Sequence, residues 1–98
     1  MLLYIMIKSF TCKETEKIYH RLYSKKIPPD IQRRAMKKLW MIDASTDIKA
    51  LRLPPSNQLE KLMGDRKGKY SIRINNQWRI CFRWESGNAF EVEIVDYH

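Results

Sequence analysis

The side chains of this chain that could do chemistry collect in its second half. Glu60 places a carboxylate just ahead of an alternating stretch that carries Arg73, Arg79 and Arg83, and Tyr97 and His98 close the sequence. This set suits metal-free cleavage of a phosphodiester. Such a reaction needs a base for the ribose 2′-hydroxyl, cations for the charge that develops on the phosphate oxygens, and an acid for the departing 5′-oxygen. Histidine has a suitable reference pKa of about 6.5, although a C-terminal histidine is inert wherever the chain end frays. Metal and nucleotide chemistry have no motif: HExxH, GxxxxGK[ST] and GxSxG are absent, and the three glycines Gly64, Gly68 and Gly87 are too few for a phosphate-cradling loop. No cofactor and no metal ligand are therefore expected. Cys12 and Cys81 stand far apart with no CxxC and read as reduced packing residues, and His20, among charged neighbours, reads as a surface residue.

Two kinds of element must position these groups. Tyr70, Ile72 and Ile74 alternate with Ser71 and Arg73, Asn75-Asn76 makes a turn, and Trp78, Ile80, Phe82 and Trp84 alternate with Arg79, Cys81 and Arg83. Glu85-Ser86-Gly87-Asn88 turns the chain again into a last strand in which Phe90, Val92 and Ile94 face one way and Glu91, Glu93 and Val95 the other. Upstream, Met6 to Phe10 (MIKSF) reads as a short strand. Thr11 and Glu14 have the spacing of a reciprocal helix cap, and Ile18, Tyr19, Leu22 and Tyr23 give an apolar stripe to a first helix within Cys12 to Ser24. Pro28-Pro29 and Asp30 open a second helix with Ile31, Ala35, Met36, Leu39, Trp40 and Ile42 on one side and Arg33, Arg34, Lys37 and Lys38 on the other. A short helical turn is expected within Asp43 to Arg52, and Pro54 to Asn57 is a loop. The sum is an α+β fold, two N-terminal helices packed on one face of a twisted, mainly antiparallel sheet. Strand alternation then puts Arg73, Arg79 and Arg83 on the opposite, open face, where Glu91 and Glu93 can neutralise part of the charge, that of Arg83 above all.

Charge narrows the partners. Nineteen Lys and Arg stand against eleven Asp and Glu in 98 residues, a net charge of +8, which favours a polyanion. The balance shifts to acidic only after residue 84, where four carboxylates meet no Lys or Arg. The basic strip of the second helix is a solvated face or a surface that follows phosphates, and Lys61, Arg66, Lys67 and Lys69 join it as candidates for contact with RNA. The apolar start, Met1 to Ile7, has no basic leader and stops at Lys8, so no membrane span or signal peptide is expected and the chain reads as cytoplasmic. One domain, residues 1–98, accommodates all of this.

From Met6 to His98 the sequence resembles the HigB branch of the RelE-like toxins of bacterial toxin-antitoxin systems. The resemblance rests on MIKSF, on LEKLMGDRKGKYSIRINNQWRICF from Leu59 to Phe82, and on VEIVDYH from Val92 to His98. It implies a ribosome-dependent mRNA endonuclease that yields 2′,3′-cyclic phosphate and 5′-hydroxyl ends. Its implied partners are the ribosome and mRNA, a HigA-type helix-turn-helix antitoxin, and operator DNA only through that antitoxin. By position, Arg73 and Arg79 fall where the family holds the scissile phosphate, and Asp96, Tyr97 and His98 match its C-terminal Asp-Tyr-His. Glu60 stands where some members carry a histidine, as in the related YoeB branch, which has a glutamate as proposed base, and Met63 stands where a lysine can occur. Residues 1–5 would be an extension before the family start. The alternative is a non-catalytic basic module that binds RNA or DNA.

Overall fold

The computed structural model describes residues 6–63 and 68–97, so residues 1–5, with the proposed extension, lie outside the described part. Helix α1 spans Lys13–Tyr19 and helix α2 Pro29–Ala44, and short 3-10 turns follow at Ile48–Arg52 and Pro55–Asn57. The strands β1 (Glu60–Lys61), β2 (Lys69–Arg73), β3 (Trp78–Glu85) and β4 (Asn88–Asp96) form one antiparallel sheet in the order β1-β2-β3-β4. No helix among the described residues is long and apolar enough to cross a membrane.

The period of α2 sets how the layers meet. Ile31, Ala35, Leu39 and Ile42 recur on one helical face and are buried against Ile72, Ile80, Phe82 and Val92 of the sheet. Burial of each large apolar side chain contributes about 1.5–3 kcal/mol. Pro29 fits the first turn because it lacks only an N–H that would have no helical partner there. On the sheet, Ser86 and Gly87 both have positive φ, as the tight two-residue turn joining β3 to β4 demands.

Four local expectations give way. The helix predicted through Ser24 ends at Tyr19. Arg21 adopts a left-handed φ of 66°, its N–H donates to the Ile18 carbonyl and that of Leu22 to Lys17, and this crossed pair of bonds closes the helix. Leu22 and Tyr23 consequently stand exposed at 59% and 63%. Arg21 takes the place usual for glycine while its guanidinium stacks 4.6 Å from the centre of the Trp40 ring. The Thr11–Glu14 cap does not form either. Cys12 occupies the cap without a side-chain bond, and Glu14 accepts a hydrogen bond from Ser24 Oγ at 2.5 Å, which holds its carboxyl below the ordinary range.

The other two concern the strands. Residues 7 to 10 touch β4 through isolated parallel bridges, Ile7 with Ala89 and Phe10 with Val92, instead of forming a strand. Their backbone, the Ser9 hydroxyl and Thr15 Oγ1, which accepts from the Ile94 N–H at 2.9 Å, cover the outer edge of β4. Finally, a β-bulge interrupts β4, where the pairing passes from Cys81–Glu93 to Arg83–Phe90 and Glu91 takes φ 54°. The extra residue reverses the alternation, so Ala89 is buried and Phe90 faces outward under the Arg83 guanidinium, 4.5 Å from its ring centre.

Asp43 ties the first segment to the helices. Its carboxylate accepts from the N–H groups of Met6 and Ile7, each at 3.0 Å, and from the Tyr19 hydroxyl at 2.9 Å. Burial, reinforced by this carboxylate, pushes the Tyr19 pKa up to about 12. Asp43→Ala strands two backbone donors and a phenol, and is expected to cost about 2 kcal/mol, a fall of roughly 8–16 °C in Tm. A thermal melt indistinguishable from that of the parent would show that water replaces these bonds without loss.

Candidate active site

Arg79 is the most constrained side chain on the sheet face opposite the helices. It shares that face with Ser71 and Cys81 but is not on an open platform, being 8% exposed. Its Nε donates to Ser71 Oγ at 2.9 Å and its Nη2 to the carbonyls of Gln58 at 2.6 Å and Ser71 at 3.3 Å. The remaining terminal nitrogen, Nη1, lies 3.8 Å from Glu60 Oε1. Glu60, whose side chain is 57% exposed, stands in β1, opposite Ser71 in the ladder. A guanidinium has five N–H donors, so this one keeps its Nη1 hydrogens beside a solvated carboxylate after serving three acceptors, the two of Ser71 buried.

The loop before β1 explains the placement. Asn57 is fully buried, its Nδ2 donates to the carbonyls of Leu51 and Leu53, and its Oδ1 accepts from Lys38 Nζ of α2. Gln58 then adopts a left-handed conformation with φ 43° and turns its carbonyl to Arg79. Thus α2 fixes the 3-10 turn, and the turn delivers both Gln58 and Glu60 to the arginine. Sequence reasoning missed Ser71, Asn57 and Gln58 as positioning residues. A small hydroxyl at Ser71, on the same strand face as Arg79, was the one available sign.

Tyr97 reaches the same face from the other side. Its hydroxyl lies 3.6 Å from Cys81 Sγ, and Leu62, Lys69, Cys81, Glu93, Val95, Asp96 and Tyr97 line a groove of about 440 Å³. The chain end is anchored as far as Tyr97. The Tyr97 N–H donates to the Gln77 carbonyl, and Gln77 Nε2 donates to Asp96 Oδ1 at 3.0 Å. His98 lies outside the described residues, as do Arg66 and Lys67.

The remaining candidates separate. Arg73 is the register partner of Arg79, yet its guanidinium donates to Asn76 Oδ1 and lines a different hollow with Arg34, Lys38, Ser56 and Ile74. Arg83 is neutralised by Glu85 and, at 3.7 Å, by Glu91, which also pairs with Lys69 at 3.3 Å. Glu93 stands opposite Cys81 instead. Lys61 is exposed on β1. The four-charge strip of α2 also divides: Arg33, Arg34 and Lys37 are exposed, Arg34 Nη1 donating to the Ile74 carbonyl at 3.3 Å, whereas Lys38 is half-buried and leans onto Asn57. Lys38 is therefore no simple solvated charge, contrary to the reading of the strip as one uniform face.

A small basic α+β protein, with a polar groove on the side of its sheet away from the helices, is the class that this fold and site define. Comparison with known proteins narrows it. A family model for the RelE-like toxin of the type II toxin-antitoxin system HigB matches residues 8–98. The chain is 39% identical over 89 residues to Toxin HigB-1 of Vibrio cholerae serotype O1, across 86% of this chain and 90% of that protein. It is 33% identical over 93 residues to Endoribonuclease HigB of Proteus vulgaris, across 95% and 100% of the two chains. An uncharacterized protein of Haemophilus influenzae is 43% identical over 64 residues, 65% of this chain and 63% of that one. The chain belongs to the HigB-like family of RelE-like toxins. It is accordingly the toxin of a type II toxin-antitoxin system, a class whose members act opposite an antitoxin.

Proposed function

We propose that the chain is an mRNA endoribonuclease that acts on the translating ribosome without a metal and is held inactive by a HigA-type helix-turn-helix antitoxin, through which alone it would reach operator DNA. The observation that carries this reading is the Glu60–Arg79 pair, a solvated carboxylate 3.8 Å from a buried guanidinium, on the sheet face whose groove Tyr97 lines. The name of the Proteus vulgaris relative supports the same chemistry. In the proposed reaction Glu60 takes the proton from a ribose 2′-hydroxyl. The 2′-oxygen attacks the adjacent phosphorus, and the P–O5′ bond breaks as the leaving oxygen acquires a proton. The products are a 2′,3′-cyclic phosphate and a 5′-hydroxyl.

Each partner group has one part. Arg79 Nη1 faces the negative charge that grows on the phosphate oxygens, and its other donors are already satisfied, so it needs no reorganisation to do so. Tyr97 offers a ring for base stacking beside the groove. Asp96 holds the end of β4 through Gln77, and His98 is the proposed source of the leaving-group proton. The exposed cations Arg33, Lys37 and Lys61, with Arg66 and Lys67, provide a surface for ribosomal RNA that requires no base reading.

Induced expression followed by primer extension tests the reading. Cut sites should fall inside translated frames and vanish from a message whose start codon is destroyed. Growth arrest with intact messages would favour the basic binding module instead, and equal cutting of untranslated RNA would remove the ribosome from the mechanism.

A further inference from the structure

Arg34, Lys38 and Arg73 converge on one hollow of about 360 Å³ at the rim of the sheet, beside Ser56 and the Ile74 backbone. Among the described residues no carboxylate pairs with any of the three, whereas Arg79, Arg83 and Lys69 each have one within 4 Å. Three like charges have thus been gathered in a concave place without a counter-ion from the described chain. Their own hydrogen bonds leave most of their donors unused. Arg34 gives one to the Ile74 carbonyl, Arg73 one to Asn76 and Lys38 one to Asn57, out of five, five and three respectively.

We propose that this hollow is a phosphate-binding site, separate from the Glu60–Arg79 centre, that takes a phosphodiester of the RNA on which the toxin acts. Two guanidiniums can present paired N–H groups to two phosphate oxygens while the ammonium adds a point charge. The Lys38 pKa lies below its ordinary value, first through burial and then through the neighbouring charges of Arg34 and Arg73, as expected of a cation cluster that lacks its anion. Because Arg73 lies directly across the ladder from Arg79, a phosphate held here would set where the RNA backbone enters the groove. The proposal deepens the ribonuclease reading and rests on RNA being the substrate.

The test compares two double variants that each remove two charges from the same protein. Arg34→Gln/Arg73→Gln empties the hollow, and Lys13→Gln/Lys25→Gln removes two exposed charges far from it in the sequence and outside its lining. A fluorescent single-stranded RNA is titrated at several salt concentrations, and Tm is measured in phosphate against chloride at equal ionic strength. The hollow variant is expected to bind RNA at least tenfold more weakly, with a salt slope smaller by about 0.7, the contribution of one phosphate contact on a single strand. It should also lose the rise in Tm that phosphate gives the parent, a mass-action effect of a ligand that binds only the folded state. The control variant should keep that rise and most of the affinity. Equal losses in the two variants would reduce the hollow to general surface charge and overturn the site. So would an undiminished RNA affinity accompanied by weaker antitoxin binding, which would give the hollow to an acidic segment of the antitoxin. If the parent leaves messages intact yet binds RNA through the hollow, the ribonuclease reading falls and the site stands. If it cleaves mRNA and the hollow variant binds RNA like the parent, the site alone falls.

Discussion

Glu60→Gln is expected to slow mRNA cleavage by roughly 10²–10⁴-fold, the range a general base supplies, and to leave Tm nearly unchanged. The amide keeps the size and the hydrogen-bonding oxygen of the carboxylate but cannot accept a proton from the ribose. Stability should survive because the side chain is 57% exposed and meets Arg79 only at 3.8 Å, a contact that solvent weakens to a small contribution. Strand β1 is likewise held through its backbone pairing with Ser71 and Tyr70, which the substitution does not touch. The measurement is single-turnover cleavage on programmed ribosomes beside a thermal melt. A variant that cleaves at the parental rate would move the base elsewhere in the groove, and one that melts many degrees lower would make Glu60 a structural residue.

Arg79→Ala should have the larger structural effect, because the side chain is buried and three protein acceptors depend on it. Removing it leaves Ser71 Oγ and the Gln58 and Ser71 carbonyls without their donors in a space the shorter side chain cannot fill. A loss of about 3 kcal/mol follows, which for a domain of this size is a fall of roughly 12–24 °C in Tm. Arg79→Lys should recover little of it, since a single ammonium cannot reproduce a planar fork that reaches three acceptors. Cleavage should vanish in both variants, even below the melting transition, because Glu60 and the Gln58 turn lose the group that registers them against the sheet. A stable Arg79→Ala protein would contradict the account of the site given by its hydrogen bonds.

Helix α2 and the strands β2, β3 and β4 are legible in the residue pattern because each repeats its own period for long enough. Ile31, Ala35, Leu39 and Ile42 mark one helical face, and Ile72, Ile80 and Phe82 mark one strand face, so the two-layer arrangement follows from burying both. The resemblance of the segments Leu59 to Phe82 and Val92 to His98 likewise carried the family, since side-chain identities are local information. The same local rules failed where a single backbone angle decided the outcome. Arg21 in the left-handed region ended α1 five residues before Ser24, and Glu91 in the same region turned Phe90 outward. Neither is a glycine, and the composition therefore gave no sign of them.

The site shows the division most clearly. Alternation put Arg73 and Arg79 on one strand face, as their register confirms, and suggested two equivalent cations. Tertiary structure made them different. The Pro55–Asn57 turn, fixed to α2 by Lys38 and Asn57, brings the Gln58 carbonyl and Glu60 to Arg79 and buries it. The same helix brings Arg34 and Lys38 to Arg73 and leaves that arginine among other cations. The sequence alone determined which residues share a face, because that depends on a repeat of two along one strand. Which acceptors or charges surround each residue was decided by segments some twenty to forty positions away, joined only when the core closes.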